Sequence, residues 1–258
     1  LHMQHGSAAG PLLVLAIALP FLFPYTHPPS TSFWPLMFTW LCGWVVAVAA
    51  WGFAGRGSPA RSSGAALVAA GLLLAALLAS AIGLSQYFGL TVGMDPWIHP
   101  STPGVAMGQL RQRNQQATLL SMGVWALLWV VAQTVVLVDG KGPFTAGQLN
   151  PRACGSKAGG GAAVLAGTLA VWGLALLALG GAATASRTAL AQWLAMLVML
   201  LLWRASLGRL ALGLALAGLL MFVVAAWALP GVLLEWTGFR AEGLFARFGD
   251  APGCTSRR

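Results

Sequence analysis

The chain has little charge, and least of all negative charge. Only 7% of its 258 residues are charged, and five of them are acidic. The acidic residues are Asp95, Asp139, Glu235, Glu242 and Asp250. Mg²⁺ and Ca²⁺ are held by clustered oxygen ligands, mostly carboxylates, and these five residues are scattered along the sequence. We therefore expect neither a metal site nor a cofactor.

Apolar residues dominate what remains. The hydrophobic fraction is 58%, there are twelve Trp, and the mean hydropathy is +0.79. These values exclude an ordinary soluble domain. A membrane-spanning helix needs about 20 apolar residues, so the chain has room for six or seven. The sequence predicts an all-α, polytopic transmembrane helical bundle of about seven helices within residues 1–230, followed by an interfacial tail at 231–258 on the outer side. The predicted apolar segments are 11–24, 33–53, 65–88, 117–138, 159–181, 189–203 and 210–229.

The first segment is short and ends at Pro20 and Pro24, so it resembles the apolar core of a signal peptide. Such a peptide also has a basic start and a small-residue cleavage site. The residues before this segment, LHMQHGSAAG, contain no Lys or Arg, and no cleavage pattern follows. We predict that the helix is retained in the protein.

The short loops predict how the bundle is oriented. Seven Lys and Arg fall on one side: Arg56, Arg61, Lys141, Arg152, Lys157, Arg204 and Arg209. Leaving the C-terminal tail aside, three fall on the other side: Arg111, Arg113 and Arg187. Cytoplasmic loops carry the excess of Lys and Arg, so we predict a cytoplasmic N-terminus. The net charge of +9 belongs mainly to this loop pattern and does not predict a nucleic-acid partner.

The arginines on the outer, less basic side are the candidates for function. Guanidinium groups bind phosphate oxygens through paired donors, and an arginine at membrane depth is costly without a partner. A single such arginine could simply extend to the lipid headgroups. Two separate places with arginine on the same face favour an anionic ligand instead. The polar segment GQLRQRNQQATLL surrounds one of them, with Gln112, Asn114 and Gln115 beside Arg111 and Arg113.

Three segments carry a family resemblance. GQLRQRNQQATLL opens the predicted fourth helix, SRTAL opens the sixth, and THPPSTSFWP follows the first. Together they resemble the N-terminal half of the bacterial O-oligosaccharyltransferases, the pilin-glycosylation ligases that are related to the O-antigen ligases. The resemblance implies a protein of the bacterial inner membrane whose partners are a lipid-linked oligosaccharide, an acceptor and the membrane lipids. The implied reaction moves a glycan from undecaprenyl pyrophosphate to a hydroxyl at the periplasmic face, on a protein such as pilin or on the lipopolysaccharide core.

The chemistry of this transfer suits the arginines. Breaking a sugar–pyrophosphate bond builds negative charge on the departing oxygens, and fixed cations stabilise that charge. Arg187 with Arg111 or Arg113 could supply them, with Gln112, Asn114 and Gln115 as additional ligands. The catalytic base is not identified by the sequence. His27 and His99 fall in outer loops, where a solvated histidine is the simpler interpretation.

The sequence also departs from the family pattern. Members of the family continue into a large periplasmic loop with an important histidine, whereas this sequence stops at FGDAPGCTSRR. We therefore expect this chain to be the carrier-binding part of such a ligase. On its own, this part could be inactive in glycan transfer. The main alternative is a transporter or flippase of anionic lipid-linked glycans, which would also need arginines in a bundle. Inverted repeats would support transport, and none is visible. A purely structural membrane subunit is the remaining alternative.

Overall fold

The computed structural model describes residues 9–23, 33–54, 58–139, 160–202, 204–241 and 243–244. This part of the chain forms seven α-helices and one short 3-10 helix, with no strand among the described residues. The α-helices are α1 (Ala9–Leu22), α2 (Phe33–Ala54), α3 (Ser58–Tyr87), α4 (Arg113–Asp139), α5 (Gly160–Ala183), α6 (Arg187–Leu202) and α7 (Arg204–Thr237). The 3-10 helix, Gly108–Leu110, lies just before α4. The predicted all-α bundle is confirmed.

Five of these helices are long and apolar enough to cross a membrane: α2, α3, α4, α5 and α7. The protein is therefore a multi-pass membrane protein. The apolar parts of α1 and α6, Gly10–Leu22 and Arg187–Leu202, are shorter. Most of α2 is exposed in the isolated chain, as expected for a helix that faces lipid on most of its surface.

Several helices are longer than the apolar segments that predicted them. α3 begins at Ser58 and α7 begins at Arg204, so Arg61, Arg204 and Arg209 belong to helices rather than to the predicted loops. α7 also continues to Thr237, past the predicted end at 229. Hydropathy identifies the stretch that suits hydrocarbon, but a helix satisfies its own backbone hydrogen bonds and can continue beyond it. The predicted loop positions Arg56, Lys141, Arg152 and Lys157 lie outside the described residues.

Small residues let α3 pack closely against two neighbours. A Cβ added to Gly123 of α4 would overlap the methyl group of Ala76 on α3, and one added to Gly180 of α5 would overlap the side chain of Ser80. The Ser80 hydroxyl donates a 2.6 Å hydrogen bond to the carbonyl of Leu176. In a membrane, where lipid is as apolar as leucine, helices associate through such close contacts. α3 is thus held between α4 and α5.

One end of the bundle gathers the termini of five helices, and we call it the site face. There α3, α5 and α7 end, and α4 and α6 begin. Gln86, in the last turn of α3, bonds Gly108 just before α4. Ser186, just before α6, bonds Asn114 in the first turn of α4. A Cβ added to Gly104 would overlap Ala241, just after α7, and would lie 3.2 Å from Leu233 near the end of α7, so this end of α7 also belongs to the site face.

Candidate functional site

The polar segment that begins at Gly108 enters α4 through an unusual turn. Gly108–Leu110 forms the 3-10 helix, and Arg111 follows it in the left-handed conformation, with φ 56° and ψ 8°. A residue other than glycine adopts this conformation only at a cost in free energy, and such residues concentrate at functional sites. α4 then begins at Arg113. Arg111 and Arg113 are both partly buried, whereas Gln112, Asn114 and Gln115 are exposed.

A second left-handed residue lies in the turn between α5 and α6. Ala185 has φ 46°, and together with Arg111 it makes up the described non-glycine residues of positive φ. Ser186 and Arg187 follow it directly, and the Arg187 side chain is exposed at the start of α6. Both arginine-bearing turns on the site face are therefore conformationally strained.

A hydrogen bond joins these two turns. The Ser186 hydroxyl donates to Oδ1 of Asn114 at 2.8 Å. The structure thus brings Ser186, the residue next to Arg187, into contact with Asn114 of the predicted site, where the N-terminal ends of α4 and α6 meet. Arg187 is the predicted site residue contributed by α6. Arg111, Gln112, Arg113, Asn114 and Gln115 are contributed by the segment that enters α4.

Further polar contacts continue between α4 and α6 toward the membrane interior. Gln192 of α6 donates its amide to the hydroxyl of Thr118 at 2.8 Å. Its amide oxygen accepts from the hydroxyl of Ser121 at 2.9 Å. Interhelical hydrogen bonds in membranes average about 0.6 kcal/mol each. Bonds of this strength fix the position of α6 beside α4 more than they stabilise the whole bundle.

Two buried glutamines hold the loop that leads to this segment. The Gln86 amide donates to the carbonyls of His99 (2.8 Å) and Gly108 (3.2 Å). Its oxygen accepts from the backbone N–H groups of Met107 (3.2 Å) and Gly108 (2.7 Å). Gln109 accepts from the N–H of His99 at 3.0 Å and donates to the carbonyl of Trp97 at 2.7 Å. The main chain at positions 97–99 is therefore fixed to the segment that ends at Arg111.

Gln116 points into the bundle rather than toward the arginines. It is 1% exposed, and its amide donates to the carbonyl of Ala79 at 2.8 Å. Its Oε1 has no hydrogen-bond partner among the described groups. Gly108 lies against this carboxamide, and a Cβ there would overlap it. Since Gly108 also has φ 58°, the position suits glycine for both steric and conformational reasons.

His99 belongs to the same part of the site face. The sequence favoured a solvated loop histidine, but the side chain is partly buried and its main chain is bonded on both sides. Burial and the neighbouring Arg111 guanidinium lower the pKa of His99, while Asp95 acts in the opposite direction. His27, the other histidine of the predicted outer loops, lies outside the described residues.

Sequence reasoning missed Gln86, Ser186 and Gln192. A glutamine at the end of an apolar helix or within one was the signal that could have identified Gln86 and Gln192, because polar side chains at membrane depth need partners. Ser186 gave no comparable signal, since its role depends on the contact with Asn114. In the described ranges, no group of three His, Cys, Asp or Glu side chains is arranged to hold a metal ion.

Comparisons with known proteins address the same segment. Residues 106–130 match the family model described as "Protein glycosylation ligase". The match begins just before the 3-10 helix and covers the turn at Arg111 and the first two thirds of α4. No curated protein and no solved structure matches the chain. The segment that carries the strained arginine turn is thus similar to protein glycosylation ligases, which confirms the resemblance inferred from the sequence.

Proposed function

We propose that this chain binds the lipid-linked glycan donor of a protein glycosylation ligase. The donor is a glycan on undecaprenyl pyrophosphate, and the acceptor is a Ser or Thr hydroxyl of a protein such as a pilin. Transfer takes place at the periplasmic face of the bacterial inner membrane, and the N-terminus is cytoplasmic. The description of the matching family favours a protein acceptor over the lipopolysaccharide core.

The observation that carries this proposal is the hydrogen bond between Ser186 and Asn114. It joins the segment that resembles the ligases to the beginning of α6, where Arg187 lies. In this proposal one anion binds to both Arg187 and the Arg111–Gln115 segment. In this proposal Arg187, Arg111 and Arg113 bind the pyrophosphate oxygens, while Gln112, Asn114 and Gln115 offer amide donors.

Electrostatics favours an anion between these arginines. If two guanidinium groups converged to about 4 Å on one ligand, they would repel by roughly 4 kcal/mol at an effective dielectric near 20. A dianionic pyrophosphate converts this repulsion into attraction to both guanidinium groups. The arrangement also serves the reaction, because negative charge grows on the pyrophosphate as its bond to the sugar breaks. The arginines supply this stabilisation without requiring a metal ion.

Binding of a prenyl-pyrophosphoryl sugar to the purified chain in lipid nanodiscs tests the proposal. A hydrogen bond to a charged group contributes about 1.5–3 kcal/mol, so Arg187→Ala and Arg111→Ala should each weaken binding by about 10-fold or more. Arg187→Lys keeps the charge but loses the paired donors, so its affinity should stay well below that of the wild type.

Arg240→Ala is the matched control. It removes an exposed arginine that lies after α7 on the same face, and it should leave the affinity within about twofold of the wild type, a change of less than about 0.5 kcal/mol. If Arg187→Ala and Arg111→Ala both bind the probe as tightly as the wild type, the shared pyrophosphate site does not exist.

A further inference from the structure

We propose that His99 is a further member of the pyrophosphate site and takes up one proton when the pyrophosphate binds beside Arg111. The inference rests on the proposed carrier-binding function and adds to it a residue and a proton. Its ligand is the same class of molecule, a diester of pyrophosphate. It predicts that carrier binding tightens as the pH falls.

The first support is the position of the His99 main chain. Its carbonyl accepts a 2.8 Å hydrogen bond from Gln86, and its N–H donates a 3.0 Å hydrogen bond to Gln109. Gln86 is 0% exposed and Gln109 is 8% exposed. The same two side chains also contact or belong to the segment that leads to Arg111: Gln86 bonds Gly108, and Gln109 lies two residues before Arg111. These bonds hold position 99 beside the segment that ends at Arg111, and the imidazole at this position is partly buried.

The second support is the set of charges around the imidazole. Arg111 acts on His99 from the segment before α4, and Asp95 acts on it from its own loop. The last turn of α3, residues 84–87, contributes no charged side chain. Burial and Arg111 together lower the pKa of His99, with Asp95 opposing them. The free site therefore holds a neutral imidazole near neutral pH.

A bound pyrophosphate reverses this balance. Its negative charges offset the guanidinium of Arg111 and favour the imidazolium form, so the pKa of His99 is higher in the complex than in the free protein. The gain in affinity is fully present below the pKa of the free protein, and it is lost as the pH rises through the pKa of the complex. Between these two values the dissociation constant rises by up to about tenfold per pH unit, the limit for one linked proton.

The test is the dissociation constant of a prenyl-pyrophosphoryl sugar, measured in nanodiscs from about pH 5 to 8, where histidine is the side chain that normally titrates. The pyrophosphate of this probe is esterified at both ends, so the probe keeps its charge over the range. The wild type should bind progressively more tightly as the pH falls. His99→Gln should bind with an affinity that barely changes with pH.

Two further variants keep the result interpretable if His99→Gln fails to fold. Asp95→Asn removes the carboxylate that favours the imidazolium. As the pH rises, this variant should therefore lose the gain in affinity for the probe at a lower pH than the wild type does. His27→Gln removes a different histidine and should keep the wild-type pH dependence. If His27→Gln lost the pH dependence, the proton would bind to His27 rather than to His99, and the proposal would be overturned.

The outcomes separate this inference from the proposed function. If the wild type binds the probe with no pH dependence, or if His99→Gln keeps the dependence, His99 is not coupled to the ligand while the arginine site stands. If the wild type does not bind the probe at any pH, the carrier-binding function fails and the coupling fails with it.

Discussion

A single buried carboxamide organises the site face at the residue scale. Gln86 uses both its amide group and its oxygen, and it bonds the backbone of His99, Met107 and Gly108. Each contact satisfies a peptide group in a part of the loop that is shielded from water. The loop between α3 and α4 is therefore held largely by the side chains of Gln86 and Gln109.

Replacing Gln86 with Leu should consequently destabilise the protein far beyond the loss of one side-chain contact. A buried peptide group left without a partner costs about 1–3 kcal/mol, and this variant affects several. We expect a lower midpoint of thermal unfolding in detergent and weaker binding of a prenyl-pyrophosphoryl sugar.

Ser85→Ala is the neighbouring control. The Ser85 hydroxyl bonds the carbonyl of Ala81 within its own helix, so its removal should change the free energy of unfolding by no more than about 0.5 kcal/mol. Equal unfolding midpoints for the Gln86 and Ser85 variants would show that the loop does not depend on Gln86.

The amino-acid types alone indicated part of the proposed site. Arginine on the less basic face was enough to select Arg111, Arg113 and Arg187, since it is an exception to a charge rule that sequence makes visible. Ser186 could not be selected in this way, because its contact with Asn114 depends on how two helices pack. The backbone conformation of Arg111 could not be predicted either. An arginine side chain suggests a phosphate ligand, but the residue type does not predict a φ of 56°.

At the scale of the element, glycine positions determine how closely helices approach. Gly123 of α4 faces Ala76 and Gly180 of α5 faces Ser80, so α4 and α5 each approach α3 through a residue without a side chain. The apolar pattern predicted these three helices correctly, but it could not say which face of each would meet α3. That choice follows from shape, and α3, α4 and α5 are too uniformly apolar for periodicity to indicate a buried face.

Gly123→Ala tests this account of the packing. The added methyl group would overlap that of Ala76, so the helices must move apart, and overpacking of this kind typically costs about 1–3 kcal/mol. A lower resistance to unfolding by heat or by denaturing detergent should reveal the change.

Gly213→Ala provides the comparison within a helix. A Cβ there meets nothing within 4 Å, and alanine is the better helix former by about 1 kcal/mol. This variant should be at least as stable as the wild type. If both variants unfold together with the wild type, the contact between Gly123 and Ala76 does not limit the packing of α3 against α4.

On the scale of the whole molecule, alternating helices bring chain segments that are distant in sequence to one face. The ends of α3, α5 and α7 and the beginnings of α4 and α6 meet there, as an up-and-down bundle requires. The sequence predicted this alternation from the number of apolar segments. It was less accurate about helix ends, since turns outside the hydrocarbon stay helical without being apolar.

Cysteine labelling with a membrane-impermeant reagent tests which way this face points. In a background without the native residues Cys42, Cys154 and Cys254, cysteines placed at Arg111 and Arg187 should react in intact spheroplasts. Cysteines placed at Arg56 and Lys157 should react only after the membrane is opened, because the more basic loops stay in the cytoplasm. The reverse pattern would invert the topology and remove the site from the periplasmic face.

The short α6 has a consequence for the lipid around it. Its 16 residues span about 24 Å at roughly 1.5 Å per residue, less than the hydrocarbon thickness of a typical bilayer, about 30 Å. A bilayer adapts to such a mismatch by thinning beside the helix. Headgroups would then sit deeper next to Arg187 than elsewhere, so a carrier could bring its pyrophosphate to the arginine without lifting its prenyl tail out of the leaflet. Under the proposed donor-binding function, we expect the affinity for the donor to depend on the length of the lipid acyl chains.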